Sequence, residues 1–294
     1  MEESKRNWHD KIYKKLLILP ILALAFSIIY LGYFISLNGD IIYKDVSLTG
    51  GTTITVFDDS VDIKILGENL KKDFPDIMIR GISNIRTGKQ QAFFIETAST
   101  PEEIKPALEK YLGYSLNVDN SSIEFTGSSI SSGFYKQLRT AILLAFLFMA
   151  IVVFIIFRTP IPSLAVIISA FADIIMTITV VDLFGISIST GGIVAILMLI
   201  GYSVDTDVLL TTRVIRKKGE SLNKRIYDAF KTGMTMTLTS IAAVLVALII
   251  IYTFSDVLRQ IFTILLIGLG FDIFNTWITN ASILKWYAEV KKLG

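Results

Sequence analysis

The 294-residue chain has no cysteine and a single histidine, His9. Without cysteine there is no disulfide framework, no thiolate metal site and no cysteine nucleophile. With its one histidine in the polar N-terminal stretch, it also cannot build a histidine triad or a multi-histidine metal centre within its apolar segments. Charge is scarce: Asp, Glu, Lys and Arg supply 18% of the residues, against 52% hydrophobic. The mean hydropathy of +0.61 lies above that of ordinary soluble domains. These shortages remove most enzyme classes, and no catalytic residue, metal or cofactor is expected.

What is present is long apolar runs. Six segments, 15–37, 138–157, 163–183, 187–211, 234–254 and 259–286, are long enough to cross a bilayer, which takes about 20 residues for 30 Å of hydrocarbon. The run from Leu16 to Leu37 exceeds the apolar region of a signal peptide, and no small-x-small cleavage site follows it, so it is an uncleaved span. Basic residues cluster in three places: Lys5, Arg6, Lys11, Lys14 and Lys15; Arg213, Arg216, Lys217, Lys218, Lys224, Arg225 and Lys231; and Lys285, Lys291 and Lys292. With six alternating spans these fall on one side, and the positive-inside rule puts that side, with both termini, in the cytoplasm of a cell-membrane protein surrounded by lipid.

The expected organisation is a tail over 1–14, a first span over 15–37, an extracytoplasmic domain over 38–137, a five-helix membrane region over 138–286 and a tail over 287–294. Within the membrane region, a basic loop over 212–233 sets Leu222, Ile226, Ala229 and Phe230 against Asn223, Lys224, Arg225 and Asp228, the pattern of an amphipathic helix at the membrane surface. Its basic cluster is short and lies where positive-inside charge is expected anyway, so nucleic acid is not an expected partner.

The outer stretch differs in composition. Asn38–Tyr135 holds 14 Asp and Glu against 9 Lys and Arg. Thr52–Phe57 alternates as a strand, and Val61–Phe74 has helical apolar spacing. Ile77–Arg86 and Gln91–Thr97 flank the turn at Thr87-Gly88-Lys89. Thr100-Pro-Glu-Glu opens a helix that runs to Gly113, with a capping box and proline at its first position. Ser115–Phe125 supplies a last strand. The order β-α-β-β-α-β predicts an α+β, ferredoxin-like domain, serving either as a docking module or as a spacer.

Carboxylates inside the spans are the strongest functional signal. Gly201-Tyr-Ser-Val-Asp-Thr-Asp207 puts Asp205 and Asp207 in span four, and Asp173 and Asp272 lie near the middle of spans three and six. An Asp at the centre of a membrane helix costs about 2.5–3.5 kcal/mol on insertion scales. Helical spacing aligns Ser169, Asp173 and Thr177 on span three, and Gly268, Asp272, Asn275, Thr276 and Thr279 on span six. Ser203, Asp207 and Thr211 share a face of span four, with Asp205 turned about 200° away. Thr232, Thr235 and Thr239 line one side of span five. Hydroxyls alone are ordinary glue between membrane helices, at about 0.6 kcal/mol per bond, but carboxylates are not needed for that. Arg213 and Lys231 are the expected counter-charges, Arg213 lying about 9–12 Å along the helix from the Asp205–Asp207 pair.

These residues together resemble a known family. One span leads to a large outer domain opened by Leu48-Thr49-Gly50-Gly51-Thr52-Thr53. Five close spans follow, carrying Gly201, Tyr202 and Ser203 ahead of Asp205 and Asp207, then Arg213, then Lys231-Thr232-Gly-Met-Thr235-Met-Thr-Leu-Thr-Ser240. This resembles SecF, the small subunit of the SecD–SecF protein-export complex in the RND superfamily, and the Asp-Thr-Asp form is similar to its archaeal branch. The resemblance implies a non-enzymatic accessory of protein export. It implies a SecD-like partner, the Sec translocon, a translocating polypeptide and, from bacterial relatives, coupling to the proton-motive force. Bacterial members carry Tyr-Ser-x-Asn-Asp-Thr. Here Asp205, Thr206 and Asp207 occupy the last three places, and Lys231 stands where an Arg begins the span-five motif, so acid and base are displaced. Asp207, with Asp205 as the alternative, is the candidate coupling carboxylate, and Asp173 and Asp272 are its partners. The competing reading is an RND-type proton-coupled carrier of small molecules or lipids. An intramembrane aspartyl protease ranks far lower, because two carboxylates sharing a proton on a tight Gly-x-Gly-Asp are required.

Overall fold

A computed structural model of the chain describes residues 8–83, 87, 89–216, 219–252 and 255–292. The sequence features at Lys5, Arg6, Arg86, Gly88, Lys217 and Lys218 lie outside the described residues.

Six helices are long and apolar enough to cross a membrane. Helix α1 (Trp8–Leu16) leads into α2 (Ile18–Asn38) as the first of them. After the outer segment come α6 (Ser128–Phe157), α7 (Pro160–Leu183), α8 (Thr190–Arg216) and α9 (Leu222–Ile251). The last is a composite of α10 (Asp256–Phe274), a π-helical segment π1 (Asn275–Asn280) and α11 (Ala281–Val290). Helices α7 and α8 form the centre: 67% and 50% of their apolar stretches are buried, against 6% for α9. Small residues set the closest approaches. A Cβ on Gly268 of α10 would come within 2.5 Å of Leu199 on α8, and one on Gly233 of α9 within 2.5 Å of the Trp277 ring.

Between α2 and α6 the chain forms a short helix α3 (Val46–Thr49) and a four-stranded sheet crossed by two helices. The strands are β1 (Gly51–Val56), β2 (Met78–Ser83), β3 (Gln90–Thr97) and β4 (Ser121–Thr126), and the helices α4 (Ile63–Asp73) and α5 (Pro101–Leu112). The sheet order is β2-β3-β1-β4, every neighbouring pair antiparallel. Alternation puts Ile54, Val56, Phe93 and Ile95 on one face, where they pack with Leu66 and Leu70 of α4 and Ile104 and Leu108 of α5. Asp62 caps α4 through the N–H groups of Lys64 and Ile65, and Thr100 and Glu103 close the capping box of α5.

Three boundaries differ from expectation for identifiable reasons. Ser115–Asn120 is not a strand, because the Asn117 carboxamide accepts from the N–H groups of Asp119 and Asn120 while Asn120 Oδ1 takes that of Asn117; such local bonds compete with ladder pairing. Helix α6 begins at Ser128, well before the apolar run, directly after β4. Residues 222–233 of the basic segment are helical and form the first turns of α9, continuous with span five. Its Arg225, expected on the polar face, is buried and donates to the carbonyl of Val214 at 2.8 Å. Ile226 and Ala229 pack with Leu210, Val214 and Leu284.

The outer segment is seated on the membrane helices through residues 185–190. Ile188 N–H donates to Tyr43, Asp45 N–H to Ile188, and Thr190 N–H to Ser47 Oγ at 3.0 Å. Arg80 of β2 reaches Ser187 Oγ at 2.9 Å. Gln260 of α10 bonds Ser187 and Ser189.

Candidate functional site

Asp173, Asp207 and Asp272 converge in the core of the helix bundle, all buried. Each comes from a different span, and each is held by hydroxyl and carboxamide donors. Asp173 Oδ2 accepts from Ser203 Oγ of α8 at 2.6 Å, and its Oδ1 from Asn275 Nδ2 of π1 at 2.7 Å. Asp207 Oδ1 accepts from Asn280 Nδ2 at 2.7 Å and Thr276 Oγ1 at 2.9 Å. Asp272 Oδ1 faces Thr206 Oγ1 at 2.9 Å and Thr276 Oγ1 at 3.1 Å, and Thr237 of α9 approaches Oδ2 at 3.4 Å.

Two features of this network matter chemically. First, no Lys or Arg pairs with any of the three carboxylates among the described residues, so their charge is met by neutral dipoles alone. Second, one hydrogen is shared between two carboxylates. Thr276 stands 2.9 Å from Asp207 and 3.1 Å from Asp272, yet a hydroxyl has one proton to donate. Asn280 Oδ1 has no hydrogen-bond partner among the described residues, and the Ser169 hydroxyl lies beside Asp207 as a further donor. When Thr276 serves one carboxylate, the other draws on its remaining neighbours, Ser169 for Asp207 and Thr206 for Asp272, or on a proton of its own.

The π segment explains why so many polar side chains of span six face inward. The N–H of Ala281 reaches back to the carbonyl of Thr276, the five-residue spacing of a π turn, which occurs often at functional sites. That widened turn brings Asn275, Thr276, Thr279 and Asn280 to the interior together. An ideal α-helix would set Asn275 and Asn280 about 140° apart.

The remaining expected residues separate from this cluster. Asp205 is exposed on the outer face of α8 beside Gly201 and Tyr202. Arg213, half-buried, and Lys231, exposed, form no ion pair with the buried carboxylates. Thr232 and Thr235 spend their hydroxyls on the carbonyls of Asp228 and Lys231 in their own helix. Thr235 and Thr239 face outward, and the inward side of α9 carries Gly233 and Thr237 instead. The Thr49-Gly50-Gly51-Thr52 motif lies at the head of the outer domain. Gly50 (φ 84°) and Gly51 (φ 140°) take positive φ where a Cβ would strike the backbones of Ser128 and Thr97, so the pair lets the chain thread between α6 and β3. Thr49 Oγ1 donates to Asp45 and Thr52 Oγ1 to Ser99. This motif is a structural junction.

Thr206, Thr237 and Asn280 are site residues that the sequence reading passed over. Thr206 was visible in the sequence, since it follows Ser203 by three positions and lies on the same helix face. Thr237 is offset from the more regular 232/235/239 series, and Asn280 is brought in only by the π turn.

Comparisons with known proteins agree on one family. A family model described as "Protein export membrane protein SecD/SecF, C-terminal" matches residues 107–290. The protein-export membrane protein SecF of Methanocaldococcus jannaschii is 39% identical over 286 residues, covering 94% of this chain and 96% of that one. The SecF of Methanolacinia petrolearia is 37% identical over 284 residues, covering 96% and 95%. Among solved structures, the crystal structure of SecDF, a translocon-associated membrane protein from Thermus thermophilus, superposes with a TM-score of 0.75 at 17% identity. That superposition covers 98% of this chain and 39% of the longer SecDF chain, so it shows a shared fold.

Proposed function

The chain belongs to the SecF family of protein-export membrane proteins and is a multi-pass, non-enzymatic auxiliary subunit of the Sec export machinery; from that premise we propose that it pairs with a SecD-like subunit and that its buried aspartate cluster couples proton movement to helix rearrangement. The shared hydroxyl of Thr276 carries this reading. Thr276 faces Asp207 and Asp272 with a single hydrogen, so the network has two arrangements related by rotation of that hydroxyl, and a proton taken up by either carboxylate biases the choice between them. A proton crossing the membrane potential releases about 2.3 kcal/mol per 100 mV, comparable with one charge-assisted hydrogen bond at about 1.5–3 kcal/mol. A proton on Asp207 gives it a donor of its own and weakens it as an acceptor, which favours Thr276 donating to Asp272. That exchange works on π1, whose Thr276 and Asn280 both hold Asp207.

The outer face of α8 and α9 supports pairing. Asp205, Tyr202, Lys231 and Thr235 are exposed there, and polar groups at membrane depth face protein or water rather than lipid. A second six-helix subunit covering this face supplies that environment. The positive-inside pattern of the basic residues supports cytoplasmic termini, and on that reading the β2-β3-β1-β4 domain, of the ferredoxin-like split βαβ type, stands on the opposite side, where it would meet a translocating polypeptide.

Two measurements test these statements. Solubilisation of native membranes in mild detergent, followed by mass spectrometry of the copurifying proteins, should recover a SecD-like subunit. Recovery of the chain with only itself would instead promote the small-molecule carrier. Replacing Asp173, Asp207 and Asp272 by Asn should abolish export in cells while the protein still accumulates in the membrane; unimpaired export refutes proton coupling through this cluster.

A further inference from the structure

Helices α6, α7 and α8 enclose a groove of about 210 Å³. Its wall is apolar: Ile142 and Phe146 of α6, Phe171, Ile175 and Ile178 of α7 and Ile196 of α8. The rings of Phe146 and Phe171, 6.1 Å apart, meet at its inner end. The one charged side chain on its lining is Arg139. From Arg139 to Phe146 the groove follows α6 for about 10 Å, from the last charge before the apolar run into the depth of the hydrocarbon.

The charges at the mouth are unequal. Asp40 accepts from the Tyr135 hydroxyl at 2.7 Å and pairs with Lys44 at 3.1 Å, so that acid is already answered. Arg139 is exposed and forms no hydrogen bond or ion pair among the described residues. Lys136, on the same face one turn earlier, is exposed and makes no ion pair either. A guanidinium offers paired donors matched to phosphate oxygens, and here it stands directly above a slot that accepts only hydrocarbon.

We propose that this groove is a binding site for one anionic phospholipid, its phosphate on Arg139 with Lys136 beside it and one alkyl chain lying along α6 to the Phe146–Phe171 pair. The two halves of the site match the two halves of such a molecule in order and spacing: anion at the boundary, chain beneath it. A zwitterionic lipid offers the same chain with a compensated head group, and a free phosphate offers the anion with nothing for the slot. This site is independent of proton coupling, since none of its residues belongs to the aspartate network.

The test uses the full-length protein in mild detergent, with native mass spectrometry and thermal melting. The added probes are phosphatidylglycerol, phosphatidylcholine and inorganic phosphate in turn. The expected result is one retained phosphatidylglycerol per chain, at least tenfold preferred over phosphatidylcholine, with a matching rise in melting temperature and no effect of inorganic phosphate. R139Q should erase the preference and R139K should keep most of it; both change an exposed side chain and leave the apolar wall intact. Equal retention of the two lipids by the parent protein, undiminished preference in R139Q, an equal stabilisation by inorganic phosphate, or a copurifying polypeptide segment in place of lipid would each overturn the proposal.

Discussion

Replacing Thr276 by valine isolates the shared hydrogen at the centre of the site. Valine keeps the branched shape of threonine, so it opens no cavity of consequence, but it removes the hydroxyl between Asp207 and Asp272. Asp207 then keeps Asn280 and its neighbour Ser169, and Asp272 keeps Thr206 and the longer contact from Thr237. Two contacts are drawn on the structure, yet one hydrogen serves one of them at a time, so the loss is one charge-assisted bond, about 1.5–3 kcal/mol. At about 2–4 °C per kcal/mol for chains of this order of size, the melting temperature in mild detergent should fall by about 3–12 °C. T276S retains the hydroxyl and should stay within about 2 °C of the parent. If the hydroxyl were ordinary interhelical glue, at about 0.6 kcal/mol, T276V would lose only about 1–2 °C. A fall that small refutes the shared-hydrogen argument. So does a T276V loss left unchanged in a D207N background, because residues sharing one hydrogen must couple.

Other outcomes follow from neighbouring features. G268A drives a methyl into Leu199 and should cost about 1–3 kcal/mol by overpacking, seen as a lower melting temperature, whereas G133A on α6 meets nothing within 4 Å and should not destabilise. D205N should leave the melting temperature of the isolated chain nearly unchanged, since that side chain is exposed, but should reduce recovery of the SecD-like subunit in a pull-down. In the outer domain, hydrogen bonds from Ser60 and Tyr114 outweigh burial and hold Asp58 below the usual carboxylate range. Its stabilising contribution is present above about pH 4 and is lost as pH falls through the lowered value, so D58N should flatten the acid side of the stability profile. Asp45 goes the other way: burial raises it despite the donors of Ser47. Its deprotonation weakens the fold as pH rises from about 4, and D45N should gain on the parent over that rise in pH-dependent melting.

How much of this was legible beforehand depended on which physical rule governs each part. The spans were readable because hydrocarbon thickness imposes a length that few other constraints mimic. The outer domain was readable where alternation and caps agree, as at Gln90–Thr97 and Thr100–Glu103, and misread at Ser115–Asn120, where asparagine side chains take the backbone donors that a strand requires. The inward positions of Asp173, Asp207 and Asp272 followed from α-helical periodicity. Asn280 did not, because the π turn is a departure from that periodicity with no local sequence mark. Arg225 was placed in water by its charge, yet the turn into α9 aims it at the Val214 carbonyl left open near the end of α8. The expected ion pairs with Arg213 and Lys231 failed on rotation and depth: helix faces set direction, but not which side chains reach across.

The position of the buried acid in span four can be understood from the geometry of that helix. Positions 206 and 207 are adjacent, so their side chains leave α8 about 100° apart. Even so both are buried, because span six wraps far enough around α8 to meet each of them. Thr206 faces Asp272, and Asp207 faces Thr276 and Asn280. Moving the carboxylate by one residue therefore keeps it against the same partner helix and shifts it from the α10 part toward the π segment. Asp205, one step further back, leaves the interior altogether. In this arrangement a carboxylate at 206 would sit against Asp272 with no cation to separate two negative charges, whereas Thr206 can donate to Asp272 instead. The substitution T206D should accordingly destabilise the isolated chain by more than D207N does, and T206D combined with D272N should recover most of that loss in melting temperature. If T206D alone melts with the parent, the close approach of positions 206 and 272 does not govern the placement of charge in this site, and the argument for a displaced coupling carboxylate falls with it.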